Sequence, residues 1–282
     1  MLEIILQIFL TTSLVAISLA IHEYAHVFAI KFMGAKIEGI GIFPLGLMAK
    51  VRGLETLHWW ERYVIYAAGS TANFAVAIMA FAISQISYVG VPWLETLALY
   101  CLALGAFNLM PALPLDGGRI LWQILGNKIG ILRASRFVAR LGLFVSGGFV
   151  LLGIAQVILF PPNITLLLAG AYLFWKNKKI SPELHAAFHI MLGGKNSPAR
   201  SRTLPTREIS TSPDMSIKHA LERLAPDYFI IFRIGKRHPL HENTLMGHIF
   251  DYGISGTVKE IMCYTTGNQI YATKTKKIGL SK

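Results

Sequence analysis

Charge is scarce in this chain. Asp, Glu, Lys and Arg make up 15% of the 282 residues, 54% are hydrophobic, and the mean hydropathy is +0.51. Such a balance excludes a disordered chain and a purely water-soluble one. It indicates a polytopic membrane protein with a soluble part. Cysteine is nearly missing. Cys101 lies in an apolar span and Cys263 near the C-terminal end, so no disulfide framework forms, which suits a reducing cytosol. The residues after Met1 lack a basic n-region and a small-residue cleavage site. The first apolar stretch therefore reads as a retained span and not a signal peptide. No internal repeat is evident.

Apolar stretches are what the chain has in quantity. Five run over about 3–32, 63–89, 93–111, 137–160 and 162–176, the last short for a crossing of ~20 residues. The loops Gly90–Pro92 and Pro161–Pro162 hold no Lys or Arg. The other connections hold Lys31, Lys36, Lys50, Arg52 and Arg62, then Arg119, Lys128, Arg133, Arg136 and Arg140, then Lys176, Lys178 and Lys179. Positive residues stay inside, which predicts an outside N-terminus and a cytosolic tail. The expected fold is a polytopic α-helical membrane protein of about five spans, with a small α+β module on the cytosolic side.

The net charge of +12 sits mostly in residues 176–282, where 17 Lys and Arg face 8 Asp and Glu. That fits a tail near anionic lipid. No interleaved aromatic or recognition-helix pattern supports direct nucleic-acid binding. The domain reading is a membrane-embedded domain over 1–176, a basic linker over 177–204, a module over 205–268 and a basic disordered tail over 269–282. Within the module, Met215–Leu224 reads as a helix, Tyr228–Ile234 as a buried strand, Gly235–Arg237 as a turn and Leu245–Tyr252 as a second helix. Between the first two spans, Lys36–Arg52 mixes β-branched residues with Gly and Pro. It reads as a hairpin dipping toward the membrane, whose edge could pair with an extended substrate, or as an interfacial loop.

Against this apolar background stands His22-Glu23-Tyr24-Ala25-His26. Ionisable side chains in a lipid-embedded helix are costly and normally mark function. With 9 His and 11 Glu in the chain, chance alone supplies roughly 0.01 such patterns. The bland alternative is a packing pair of histidines with a buried Glu bonded between them. The functional reading is a zinc hydrolase. Positions i and i+4 share a helical face, so His22 and His26 can reach one tetrahedral Zn²⁺. Glu23, beside that face, can hold the attacking water, accept its proton and deliver it to the leaving amine.

A catalytic zinc usually takes a third protein ligand and keeps one position open. His58, Glu61, Glu95, Asp116, His185 and His189 are the candidates, and depth separates them. His22 and His26 come 19 and 23 residues after Glu3, and Asp116 comes 21 after Glu95. Both segments run inward, so Asp116 returns to the depth of the histidines. The stretch from Asn108 to Gly118, NLMPALPLDGG, also breaks a helix within the membrane. Unwound backbone there is tolerated only when buried in protein or lining a wet cavity. The alternative for Asp116 is a helix N-cap. His185 and His189, in an amphipathic segment, read as helix-surface residues. Asn108 and Asn73 are the candidate substrate contacts, Asn108 through a scissile carbonyl or oxyanion. A helix–helix hydrogen bond is the alternative for Asn108. Gly69, four residues before Asn73, permits close packing against the catalytic helix, where Asn73 is also a candidate polar contact.

Taken together, HEYAH, the Gly-x-x-x-Asn segment of the second span and NLMPALPLDGG resemble the site-2 protease family of intramembrane zinc metalloproteases. The likeness covers residues 3–125. It implies that His22, His26 and Asp116 are zinc ligands, that Glu23 is the catalytic acid and base, and that Asn108 helps to hold substrate. The short module after the membrane domain looks like one shortened CBS-type repeat, similar to the stage IV sporulation protein FB branch. That branch implies a pro-sigma-factor substrate of the sigma-K type and inhibitory membrane partner proteins. It also implies a place in the mother-cell membrane around the forespore. A CBS-like unit implies regulation by ATP or another adenine nucleotide. Because such sites form from paired units, it further implies a homo-oligomer. Two departures stand out. The branch usually has one more span before the catalytic helix. The family's usual Ala-Gly-Pro is Ala68-Gly69-Ser70 here, which should straighten the second span. Two other functions compete: a general site-2-type peptidase acting on anti-sigma factors or signal-peptide remnants, and a transporter using His22, Glu23 and Asp116 as a relay.

Overall fold

In the computed structural model the described residues are 1–43, 46–52, 57–86, 92–159, 164–178, 205–225, 227–234, 239–252 and 255–262, with backbone alone for those in 36–52 and for 250–252. They fall into two compact units, Met1–Trp122 with Arg136–Ala199, and Gln123–Ser135 with Arg200–Lys282. Gln123–Ser135 thus packs with the C-terminal module. The sequence reading placed it in the membrane domain.

The first unit opens with α1 (Leu2–Phe32). Its 31 residues span about 46 Å, well over the ~30 Å hydrocarbon core. The hairpin follows as β1 (Lys36–Phe43) and β2 (Gly46–Arg52), antiparallel from Lys36↔Arg52 to Phe43↔Gly46, with a register shift between Ile37 and Gly39. Next come α2 (Trp59–Ile86), α3 (Pro92–Asn108), α4 (Asp116–Ile129), α5 (Ile131–Leu159) and α6 (residues 165–178). Among the described residues α1, α2 and α5 are long and apolar enough to cross a membrane. The 17 residues of α3 fall short of that length, as does α6, so three spans and not five meet it.

Along α1 the side chains of Leu2, Ile5, Phe9, Phe28 and Phe32 are all exposed. Water would make that surface an aggregation hazard, whereas lipid covers it at no cost. The chain is a membrane protein. Small residues let α1, α2 and α3 approach closely. Ala77 and Ala80 of α2 meet Leu97, Ala98 and Cys101 of α3, with Leu14 of α1. Nearer the other end of α1, Ala29 and Ile30 pack on Leu57 and Ile65.

Between α3 and α4 the chain unwinds. Ala112 and Leu115 are buried against Leu173 of α6. The loop is held by its own turns, Ala112 N–H to Met110 O and Leu115 N–H to Ala112 O. The first turn of α4 presses so close that a Cβ on Gly117 would stand 2.0 Å from Leu109 O, and one on Gly118 2.4 Å from Ala112 O. Only glycine fits either place, which is the physical content of Asp116-Gly117-Gly118.

In the second unit β3 (Thr206–Ser210) runs parallel to β4 (Phe229–Arg233), which pairs antiparallel with β5 (Leu240–His241). Helix α7 (Ile217–Leu221) connects β3 to β4, and α8 (Glu242–Tyr252) follows β5. Ser216 caps α7, its hydroxyl accepting from His219 N–H. Ile217, Leu224, Ile230, Phe232, Leu245 and Ile261 form the buried core. The expected helix at Met215–Leu224, strand at Tyr228–Ile234 and helix at Leu245–Tyr252 match α7, β4 and α8, with shorter bounds for α7 and β4. Strands β3 and β5 were not anticipated. The expected turn at 235–237, most of the linker and the tail lie outside the described residues.

The same unit grips the junction of α4 and α5. Asn127 donates to Asp227 Oδ2, while its Oδ1 accepts from Asp227 N–H at 3.1 Å. Ile131 N–H donates to Leu224 O, and Arg133 pairs with Glu222 at 3.1 Å. Gly130 adopts φ +89°, and a Cβ there would also strike Glu222 O at 1.8 Å. Both facts demand glycine at that position.

Candidate metal centre

His22 and His26 follow one another by a single turn of α1 and lie on its inner face. Their Nε2 atoms are 3.1 Å apart. Asp116, the first residue of α4, brings Oδ2 to 3.3 Å from His22 Nε2 and 3.0 Å from His26 Nε2. Ligand atoms ~2.0–2.1 Å from a tetrahedral zinc stand roughly 3.3 Å from one another. The three atoms therefore occupy three corners of a slightly contracted zinc tetrahedron. His22 and Asp116 are buried, so the cluster is largely screened from solvent.

The hydrogen bonds around the imidazoles leave both Nε2 lone pairs for a cation. His26 Nδ1 lies 2.7 Å from the carbonyl of Ile65, so Nδ1 carries the proton and Nε2 is bare. His22 Nδ1 lies 3.5 Å from the Asn73 amide. Asn73 is fully buried, and its Oδ1 has no hydrogen-bond partner. Turning that amide by 180° gives Oδ1 the Nδ1–H of His22, which satisfies the orphaned oxygen and frees His22 Nε2 as well. Two bare nitrogens and a carboxylate so close repel one another unless a proton or a metal cation sits among them. This donor set fits Zn²⁺, with an oriented second partner behind each histidine.

Helix α2 supplies the floor. Ile65, Gly69 and Asn73 recur every four residues on one face. Ile65 holds His26, Asn73 lies against His22, and Gly69 between them leaves room. A Cβ on Gly69 would stand 2.5 Å from His26 Nε2 and 2.7 Å from His22 Nε2. Helix α2 runs unbroken through Ser70, whose buried hydroxyl has no hydrogen-bond partner.

The remaining candidates lie elsewhere. Glu23 is half-buried beside the cluster, within electrostatic range of His26, His22, Asp116 and Arg119. Glu61 Oε2 accepts from His58 N–H at 2.6 Å, so this pair caps the start of α2. Glu95 is exposed at the start of α3. His185 and His189 lie outside the described residues. Among the described residues His22, His26 and Asp116 are the one group of three able to hold a metal ion. Asn108 donates to Leu104 O of its own helix at 3.0 Å. Asn73 faces His22 from a buried position, as a polar contact against the catalytic helix. The Ile65 carbonyl was not anticipated, since a backbone acceptor leaves no mark in the sequence.

Residues 10–97 and 90–149 match the family model described as Peptidase family M50. A zinc metalloprotease of Methanocaldococcus jannaschii is 30% identical over 254 residues, 88% of this chain and 70% of that protein. Stage IV sporulation protein FB of Bacillus subtilis is 24% identical over 116 residues, 41% of this chain and 40% of that one. The solved site-2 protease from Methanocaldococcus jannaschii shares 32% identity with a TM-score of 0.49, covering 61% of this chain and 77% of its own.

Proposed function

The chain belongs to peptidase family M50 and is a zinc metalloprotease of the site-2 type, and from that premise we propose that it cuts a membrane-associated protein within the bilayer, with His22, His26 and Asp116 holding the metal. The observation that carries the residue assignment is the meeting of two imidazole nitrogens and one carboxylate oxygen, from positions 90 residues apart, with 3.0–3.3 Å between them. Zinc held there supplies Lewis acidity toward water and the scissile carbonyl. Glu23 takes the proton of the attacking water and returns it to the leaving amine. Ile65 and Asn73 keep both imidazoles in the tautomer that offers Nε2. The apolar walls limit water, which strengthens each of these interactions. Asn108 is assigned to substrate, through the Oδ1 of the amide whose nitrogen donates to Leu104 O.

The hairpin β1–β2 adjoins α1, and its edge is the docking strand for an unwound substrate segment. All five apolar helices enter the bilayer, the shorter α3 and α6 by local thinning. Lys and Arg placement puts the N-terminus outside, with the metal centre and C-terminal module toward the cytosol. The order β3–α7–β4–β5–α8 supports reading that module as a single CBS-type unit, with an adenine nucleotide as ligand and a second copy of the chain completing the site.

Two substrate classes remain. A pro-sigma factor, with inhibitory membrane partners and a sporulation setting, rests on the partial 24% match. A general site-2-type substrate, an anti-sigma factor or signal-peptide remnant, needs no sporulation setting, and we favour it because the relative matched over 88% of the chain is described only as a zinc metalloprotease. Cleavage of a pro-sigma-type N-terminal segment alone would reverse that preference.

The test of the site is metal content beside activity in detergent. Wild type should hold one zinc per chain and cleave. Glu23→Gln should hold zinc without cleaving, and Asp116→Ala should lose both. A Glu23→Gln protein that cleaves, or an Asp116→Ala protein with full zinc, would refute the assignment.

A further inference from the structure

Asn177, near the end of α6, is only 3% exposed although lysines flank it. Its Nδ2 donates to Leu113 O at 2.7 Å and to Leu173 O at 2.8 Å. The orientation is fixed by these two acceptors, since the opposite one would set Oδ1 against two carbonyl oxygens. Oδ1 itself is buried with no hydrogen-bond partner. It rests in a notch on α5 at Gly142, where a Cβ would stand 2.1 Å away. A leucine would fill such a site without burying an unsatisfied amide oxygen, and the only bond beyond its own helix that it would give up is that to Leu113 O. An asparagine held there with half its amide unsatisfied is a poor choice for stability alone.

What its donor reaches is the loop that ends on Asp116. Leu113 lies three residues before it. The next turn, Leu115 N–H to Ala112 O, is wedged against Gly118. A loop held from one side by the Asn177 amide and from the other by the first turn of α4 has little freedom. Metal ligands must stay within about 0.5 Å of working geometry.

We propose that Asn177, seated in the Gly142 notch, is a positioning residue that pins the Leu113 carbonyl and so fixes the Asp116 carboxylate against His22 and His26. The inference rests on the metal-site reading above. It assigns no contact with substrate or metal to Asn177.

The test uses the full-length protein in detergent. Zinc affinity is measured by chelator competition, the visible spectrum with Co²⁺ in place of zinc, and melting with and without metal. Asn177→Leu keeps the number of side-chain heavy atoms and removes the donor. It should weaken zinc binding about tenfold and alter the Co²⁺ spectrum, while metal-free melting falls less than zinc-bound melting. Gly142→Ala pushes the amide out of its notch and should do the same, which keeps the test decisive if Asn177→Leu fails to accumulate. The double variant Gly142→Ala, Asn177→Ala should be no worse than Gly142→Ala alone, because the two act through one contact. Wild-type zinc affinity and an unchanged spectrum in both single variants would overturn the proposal. So would equal loss of melting temperature with and without metal at unchanged affinity. A wild-type protein that binds no zinc would instead overturn the metal-site reading itself.

Discussion

Gly69 and His26 are so placed that a single added methyl group on the glycine would stand 2.5 Å from Nε2. The same methyl would stand 2.7 Å from His22 Nε2, so neither imidazole can yield without leaving the other. Alanine is a better helix former than glycine, and α2 itself should tolerate it. Gly69→Ala is therefore expected to fold, to lose zinc by at least about a hundredfold in affinity, and to be inactive. Zinc titration beside thermal melting checks this. Full zinc occupancy in a folded Gly69→Ala protein would place the metal elsewhere.

The Asn73 amide makes a sharper prediction about His22. If Oδ1 accepts from Nδ1–H, Asn73→Asp retains an acceptor and should keep zinc affinity within a fewfold of wild type. Asn73→Leu removes it and should lose about 10–100-fold. Equal losses in the two variants would show that the amide nitrogen, and not the oxygen, meets the imidazole. Chelator competition measures both.

In the C-terminal unit, Asn127 and Asp227 exchange two hydrogen bonds, with Asp227 buried. Asn127→Ala removes both. Loss of a bond to a buried carboxylate costs about 1–3 kcal/mol. The variant should therefore expose the unit to limited proteolysis at lower temperature, without loss of bound zinc. Unchanged protease resistance would mean that other contacts hold the junction.

Glu208 and Arg233 pair at 2.9 Å on the open face of β3 and β4. The Arg233 guanidinium bonded to Glu208 holds its carboxyl below the ordinary value. The folded unit thus binds fewer protons than the unfolded chain through this range. The pair's contribution is present above the unfolded carboxyl's titration and fades as acid drives the pH down through the folded one. Both groups are fully exposed, so the effect is small. Glu208→Gln should leave melting near neutral pH almost unchanged and slightly flatten its fall in acid. A large neutral-pH loss would point to a partner for Glu208 beyond Arg233.

The chemistry was legible where side-chain spacing carries it. Positions 22 and 26 share a helical face whatever else the chain does, whereas the two glycines after Asp116 are needed for close approach to Leu109 and Ala112 and not for an unusual φ. The supporting contacts were less visible. Ile65 acts through its carbonyl, which any residue would supply. Asn177 sits between Lys176 and Lys178, a context that reads as a solvated membrane border. Strand β3 is exposed except for partly covered Ile209, so it lacks the alternation that marks a strand. Helix α4 has an apolar face that looks the same whether lipid or a folded protein module covers it. Its second half, grouped in the structure with the C-terminal residues, therefore read as part of the membrane domain in the sequence.

Zinc K-edge absorption of the Glu23→Gln protein reads the metal's ligands themselves. A first shell of nitrogen and oxygen at ~2.0–2.1 Å without sulfur is expected, carrying the scattering pattern of two imidazoles. One imidazole's signal should vanish in His22→Ala and one in His26→Ala. A sulfur-containing shell, or two intact imidazoles after either substitution, would contradict it.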